Sequence, residues 1–228
     1  MIKLTRKFFA LSAFLSALVF ASFAITSNAE ASSHKKGTFA TEACNPIQVV
    51  IHASYGGGTD TTARMMSIRS RRTLAADMQI VGKRGGSGAK AQNYTLTRPK
   101  DGCTIMALTE SHLYTMARGK SDMKIDDLVG VARAMEEPTF IVVNAKNKEL
   151  STIKKFIKRS QKKPIVTAIA SIGGTEHIGM YNYSKTAGVP FKAVSFGSGA
   201  QSLQALASGK VEASLLNPSE AAALIEDK

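Results

Sequence analysis

Three glycine-rich segments carry the residues whose types and spacing could do chemistry in this 228-residue chain. They are Ser54-Tyr55-Gly56-Gly57-Gly58, Ser171-Ile172-Gly173-Gly174-Thr175 and Gly197-Ser198-Gly199, each lying between a short apolar run and a stretch with helical spacing. The first turn of a helix has backbone N–H groups without intrahelical partners and carries the positive end of the helix dipole. Glycine in front of it lets a ligand come close to the backbone. The chemistry on offer is recognition of an anion, and two such loops on facing lobes can grip the two ends of a dicarboxylate. One glycine loop alone would be a tight connection; three at equivalent strand ends favour binding.

Other chemistries fit these residues less well. Gly56-Gly57-Gly58-Thr59-Asp60 lacks both the Gly-Lys-Ser/Thr that holds a triphosphate and the Gly-x-Gly-x-x-Gly of dinucleotide sites, so no cofactor is expected. Gly85-Gly86-Ser87-Gly88-Ala89 is a near miss to the nucleophile elbow of serine hydrolases. His52, His112 and His177 are candidate bases, yet none has a flanking acid at a telling spacing, and a hydrolase is the weakest reading. Glu176-His177 reads as a capping acid followed by a ligand-loop or surface histidine. No catalytic residue and no metal site are expected.

The elements that must position the loops alternate strand and helix. Strands are predicted at 47–53, 79–81, 103–108, 139–144, 165–170, 191–195 and 211–216. Thr59 or Asp60 is expected to cap a helix with Ala63, Met66, Ser70 and Leu74 facing inward. Ser151 is expected to cap another, with Ile153, Phe156 and Ile157 on one face. Further helices are predicted through about Thr97, at 110–117, up to Gly188, at 200–208 and from Asn217-Pro218 onward. This alternation implies an α/β fold with mostly parallel sheets flanked by helices. Two lobes are expected, the first over 47–143 and the second over 144–228. Ligands of such folds sit outside the carboxyl ends of the strands.

Compartment and charge narrow the partners. Lys3, Arg6 and Lys7 precede an apolar run from Phe8 to Ile25, and Ser27-Asn28-Ala29 offers small residues for cleavage. Residues 1–29 are therefore expected to be a cleaved signal peptide rather than an anchor, and 30–46 a loose mature start. Cleavage leaves 27 basic and 17 acidic residues, a net charge of +10. That sign suits small anions, an anionic membrane face or nucleic acid. Export argues against nucleic acid, and no stretch combines clustered Lys/Arg with stacking aromatics. Arg69, Arg71 and Arg72 read as the solvated face of a helix. The two cysteines, Cys44 and Cys103, would lie near the starts of the first and third strands. If those strands are parallel neighbours, a disulfide is geometrically possible.

Taken in order, these segments resemble the tripartite tricarboxylate transporter receptors, also called Bug proteins. The resemblance rests on the segment 47–64 (IQVVIHASYGGGTDTTAR), on Arg84-Gly85-Gly86-Ser87-Gly88, on 100–105 (KDGCTI) and on 126–132 (DDLVGVA). It continues through Ser171 to His177, Phe196 to Ala200 and Gly209-Lys210-Val211-Glu212-Ala213. It implies a two-lobed periplasmic binding-protein fold that captures a small organic anion, such as a di- or tricarboxylate, for the membrane permease subunits of a tripartite transporter. The receptor would be a periplasmic monomer and not an enzyme; an alternative is a ligand-sensing subunit of a signalling system. One carboxylate would rest on Gly57, Gly58 and Thr59, the other on Gly173, Gly174 and Thr175, with Ser198 and Gly199 lining the same cleft. Tyr55, Asp60, Ser171 and His177 complete the candidate ligand-binding set, Asp60 being read as a cap turned from the ligand. Lys83, Gly85 and Cys103 depart from the family pattern. Family chains are longer, so this chain is expected to lack a final strand and a segment returning to the first lobe.

Overall fold

The computed structural model describes residues 44–225; the expected signal peptide and most of the mature N-terminal segment lie outside the described residues. In the first lobe, β1 (Ile47–Ile51) is the middle strand of three, flanked by β2 (Met78–Gly82) and β3 (Thr104–Met106), all parallel. Parallel neighbours need crossover connections. Here these are α1 (Gly58–Ser67) with α2 (Ser70–Leu74), and α3 (Ala89–Leu96); α4 (Glu110–Ala117) follows β3. Covered on both sides, β1 reads as the apolar run IQVVI, with Val50 and Ile51 fully buried. Val49, Ile51 and Ala63 form a small core with Met78, Ile80, Ile105 and Ala107 around it.

The second lobe is built on a four-stranded sheet in the order β4-β7-β5-β6. Its strands are β4 (Phe140–Val143), β5 (Ile165–Ile169), β6 (Phe191–Ser195) and β7 (Ala213–Leu216). Helices α5 (Ile153–Ser160), α6 (Thr175–Ala187), α7 (Gly199–Ala207) and α8 (Pro218–Ile225) accompany them. The core is larger here: Leu150, Phe156, Ile165, Met180, Val189, Ala213 and Leu215 pack as one cluster. β5 is parallel to β6 and β7, whereas β4 is antiparallel to β7. The segment 140–143, expected to close the first lobe, therefore hydrogen-bonds in the second sheet, and the change-over falls before Phe140.

Several local expectations are corrected. Gly57, in extended conformation, is the N-cap of α1, not Thr59 or Asp60. The first helix breaks around Ile68–Arg69, so its inward stripe does not run on: Ala63 and Ser70 are buried but Met66 is 57 % exposed. Thr152, not Ser151, caps α5 by accepting from the Lys155 N–H, and Ile153 is exposed while Phe156 is buried. Arg69, Arg71 and Arg72 are solvent-exposed as expected, with Arg71 paired to Asp77. Cys44 and Cys103 are joined in a disulfide, Cα to Cα 5.1 Å, made possible by the parallel pairing of β1 and β3.

Candidate functional site

Because β1, β5, β6 and β7 share the sense that puts their carboxyl ends toward loop–helix junctions, four loops carry the candidate residues. The first follows β1. Its Gly57 N–H donates to the Ser54 carbonyl (3.1 Å), and α1 then begins at Gly58. Asp60 is 3 % exposed, and one of its oxygens accepts from the Gly56 N–H (2.8 Å) and from Arg64 Nε (3.0 Å). Burial pushes this carboxyl up, but the hydrogen bonds from Arg64 and Gly56 outweigh it and hold it below its ordinary range. Asp60 thus braces its own loop, although it is not the N-cap. Tyr55 is also directed within the first lobe, its hydroxyl accepting from the Gly82 N–H at 2.9 Å.

The loop after β5 is held differently. The Gly173 N–H donates to His177 Nδ1 (2.9 Å) and the Gly174 N–H to the Ser171 carbonyl (3.1 Å). Burial, then the nearby Arg118, lowers the His177 pKa, which keeps the ring neutral and able to accept. At the start of α6 the Thr175 N–H donates to Ser111 Oγ (2.9 Å), and the two hydroxyls lie 3.0 Å apart. Ser111 belongs to α4, so a first-lobe hydroxyl occupies one of the free amides of a second-lobe helix. Ser87 makes a second link by donating to the Ile172 carbonyl.

After β6, Ser198 is buried and caps α7, accepting from the Gln201 N–H (3.3 Å). Directly opposite lies the first loop: a Cβ on Gly57 would stand 3.1 Å from Ser198 Cβ. Ser54 Oγ donates toward the Gly197 carbonyl and Gln201 Oε1 (3.3 Å each) and accepts from the Arg84 guanidinium (2.8 Å). The fourth loop follows β7. There the first turn of α8 presents Glu220, whose carboxylate accepts from the Asn217 N–H and from the Gly58 N–H. A Cβ on Gly199 would collide with the same carboxylate.

The loops at 56–58 and 197–199 thus face each other, while the loop at 171–175 faces Ser87 and Ser111. Gly57 is brought against Ser198, and Gly58 and Gly199 both lie against Glu220; Ser171, Gly173, Gly174, Thr175 and His177 form a second group that packs on Ser111, and Thr59 follows Gly58 in the first turn of α1. Sequence reasoning missed Ser54, Arg84, Ser111 and Glu220. Ser54 stood inside the quoted loop, and Glu220 stood in a first helical turn after Asn217-Pro218, but nothing local says that either spans the lobes.

Beneath the loops lie two neutral imidazoles. His52 follows β1 and His112 sits in the first turn of α4, their ring centroids 4.2 Å apart and edge-on. The Thr109 N–H donates to His112 Nδ1 (3.0 Å), so that nitrogen is an acceptor and the ring proton is on Nε2. Burial pushes His52 down to about 4; burial first, then the neighbouring His52, pushes His112 down to about 3. Gly88, at φ +104°, packs on this pair, where a Cβ would lie 2.7 Å from His112 Cδ2. The Ser87 hydroxyl is directed to a carbonyl rather than to an imidazole, and His112 gives its acceptor nitrogen to a backbone amide. This is not the geometry of a nucleophile and its base.

The sequence profile described as "Tripartite tricarboxylate transporter family receptor" matches residues 62–227. The chain belongs to this family. Protein BugT of Bordetella pertussis is 25 % identical over 146 residues, covering 60 % of this chain and 44 % of that protein. The chain therefore spans less than half the length of that relative. Among solved structures, MatC from Rhodopseudomonas palustris with bound malate superposes with a TM-score of 0.72 at 22 % identity, covering 80 % of this chain and 64 % of the other. A structure of an R. palustris protein with adipate superposes with a TM-score of 0.66 at 22 % identity, covering 80 % and 62 %. The shared architecture is the two-lobed α/β binding-protein fold, with its parallel-dominant sheets flanked by helices.

Proposed function

We propose that this chain is an extracytoplasmic receptor that binds a small organic anion, a mono-, di- or tricarboxylate, and delivers it to a membrane permease; it is not an enzyme. The observation that carries this reading is the set of facing helix N-termini. α1 starts at Gly58 across from the start of α7 at Gly199, and α6 starts at Thr175 against Ser111 of the first lobe. Helix dipole ends converging from two lobes attract negative charge without any catalytic group, and a ligand carboxylate would replace the protein groups that now accept from the Gly58 and Thr175 amides. Gly57, Gly58 and Thr59 would hold one carboxylate and Gly173, Gly174 and Thr175 the other, with Ser198 and Gly199 between them. Malate and adipate, bound in two relatives of the same fold, support carboxylates as the ligand class. Signal-peptide cleavage after Ala29 and action as a monomer belong to the same proposal.

The test is thermal unfolding of the chain from residue 30, alone and with mono-, di- and tricarboxylates and acidic amino acids. A ligand bound to the native state alone adds about 2.7 kcal/mol at a hundredfold excess over Kd, a readily measured rise in Tm. A sharp transition that no carboxylate moves would refute the ligand class.

A further inference from the structure

We propose that Glu220 is a specificity-determining residue of the cleft: its carboxylate is a tethered anion that occupies the amide end of α1 and competes there with carboxylate ligands. This rests on the receptor reading above. Three observations converge on the side chain. It accepts a backbone hydrogen bond from Gly58, the first residue of α1 and one of the positions assigned to ligand. It lies so close to Gly199 on the opposite loop that a Cβ there would push the carboxylate aside. Its own helix start anchors it, through the Asn217 N–H to Oε2 at 3.3 Å. A carboxylate carried by this chain thus stands where the dipole of α1 and the loop after β6 meet.

The electrostatic setting makes the contact a poised one. Burial pushes Glu220 up, the Asn217 and Gly58 amides pull it down, and Glu137 adds repulsion; the balance is a raised pKa. Glu176, in the first turn of α6, is raised chiefly by burial and also by Glu220, and its Oε2 has no hydrogen-bond partner among the described residues. Among the described residues Glu137 acts on Glu220 and Glu220 acts on Glu176, all three of one sign. Bringing a ligand carboxylate to the Gly58 amide requires Glu220 to swing out or to take up one proton from solvent. Either way the ligand displaces an anion already hydrogen-bonded there, and the cleft resists purely anionic ligands at neutral pH more than its glycine loops alone would.

The experiment compares wild type, Glu220→Ala and Glu220→Gln by titration calorimetry with malate and adipate near pH 7.5 and pH 5.5. Glu220→Gln preserves the shape of the side chain, so it also controls for folding. Glu220→Ala should bind about tenfold tighter at the higher pH, the scale of one displaced hydrogen-bonded carboxylate. Wild-type affinity should rise as pH falls, and both variants should lose most of that dependence. Wild type and Glu220→Ala binding with equal affinity would overturn the inference while leaving the receptor reading intact. If no form binds either acid, the receptor reading is what fails, and the Gly58 amide then decides on Glu220 alone. Its ¹⁵N–¹H resonance should titrate with pH in wild type and not in Glu220→Gln; a resonance that titrates alike in both overturns the contact.

Discussion

Acidification should unfold this protein through His52 and His112. Each is neutral in the folded state, with a pKa of about 4 and about 3, against about 6.5 in the unfolded chain. A base whose folded pKa is depressed leaves the unfolded state holding more protons, so stability is complete above about pH 6.5 and is lost as pH falls toward the folded values. At about pH 5 each histidine removes about 2 kcal/mol, and the pair about 4 kcal/mol, of a stability that is typically 5–15 kcal/mol. Glu176 and Glu220 act with the opposite sign, because their raised pKa values let the folded state take up protons first. The His112→Gln variant isolates one term, since glutamine can still accept from the Thr109 amide while it cannot charge. Urea unfolding of both proteins at fixed ionic strength gives the comparison. The stability gap between wild type and variant should shrink by about 2 kcal/mol from pH 8 to pH 5. A gap that does not change with pH, or a His112 imidazole titrating near 6.5 by NMR, would refute the reasoning.

Three further outcomes follow from packing and charge. Gly58→Asp sets a second carboxylate where a Cβ would stand 3.1 Å from Glu220 Oε1, so calorimetry should record at least a tenfold loss of carboxylate affinity, about 1.4 kcal/mol. Gly88→Ala must accept φ +104° and a contact with His112, and should cost about 1–3 kcal/mol in chemical denaturation, with His112 signals shifted in NMR. Phe156→Ala empties the largest fully buried position of the second lobe and should cost about 3–5 kcal/mol in the same assay.

The sequence revealed the scaffold well for a physical reason. Strands covered on both faces, such as 47–51 and 165–169, are continuous apolar runs, and the glycines that end them must be there for helices to start close to a facing loop. Gly188 stopped α6 where it was expected to, in the left-handed conformation that glycine accepts most readily. What was not legible depends on partners far along the chain. β4 reads as an extended run, but its antiparallel match with β7 lies some seventy residues away, so its lobe could not be told from local pattern. Met66 had helical spacing, yet the helix ends before a longer stripe can bury it. Among candidate residues, the glycines were readable from their loops. Glu220 and Ser111 were not, because each acts on an amide of another element, at Gly58 and Thr175 respectively.

The cystine between Cys44 and Cys103 closes a span of 59 positions around β1, β2 and the helices α1, α2 and α3 of the first lobe. Chain-entropy arguments give such a closure about 4 kcal/mol, which is comparable with the whole stability of a small domain. In the cytoplasm, where thiols are kept reduced, the newly made chain lacks this increment. The link forms where the surroundings are oxidising, so the same chain is looser when its two thiols are reduced and tightens once they are joined.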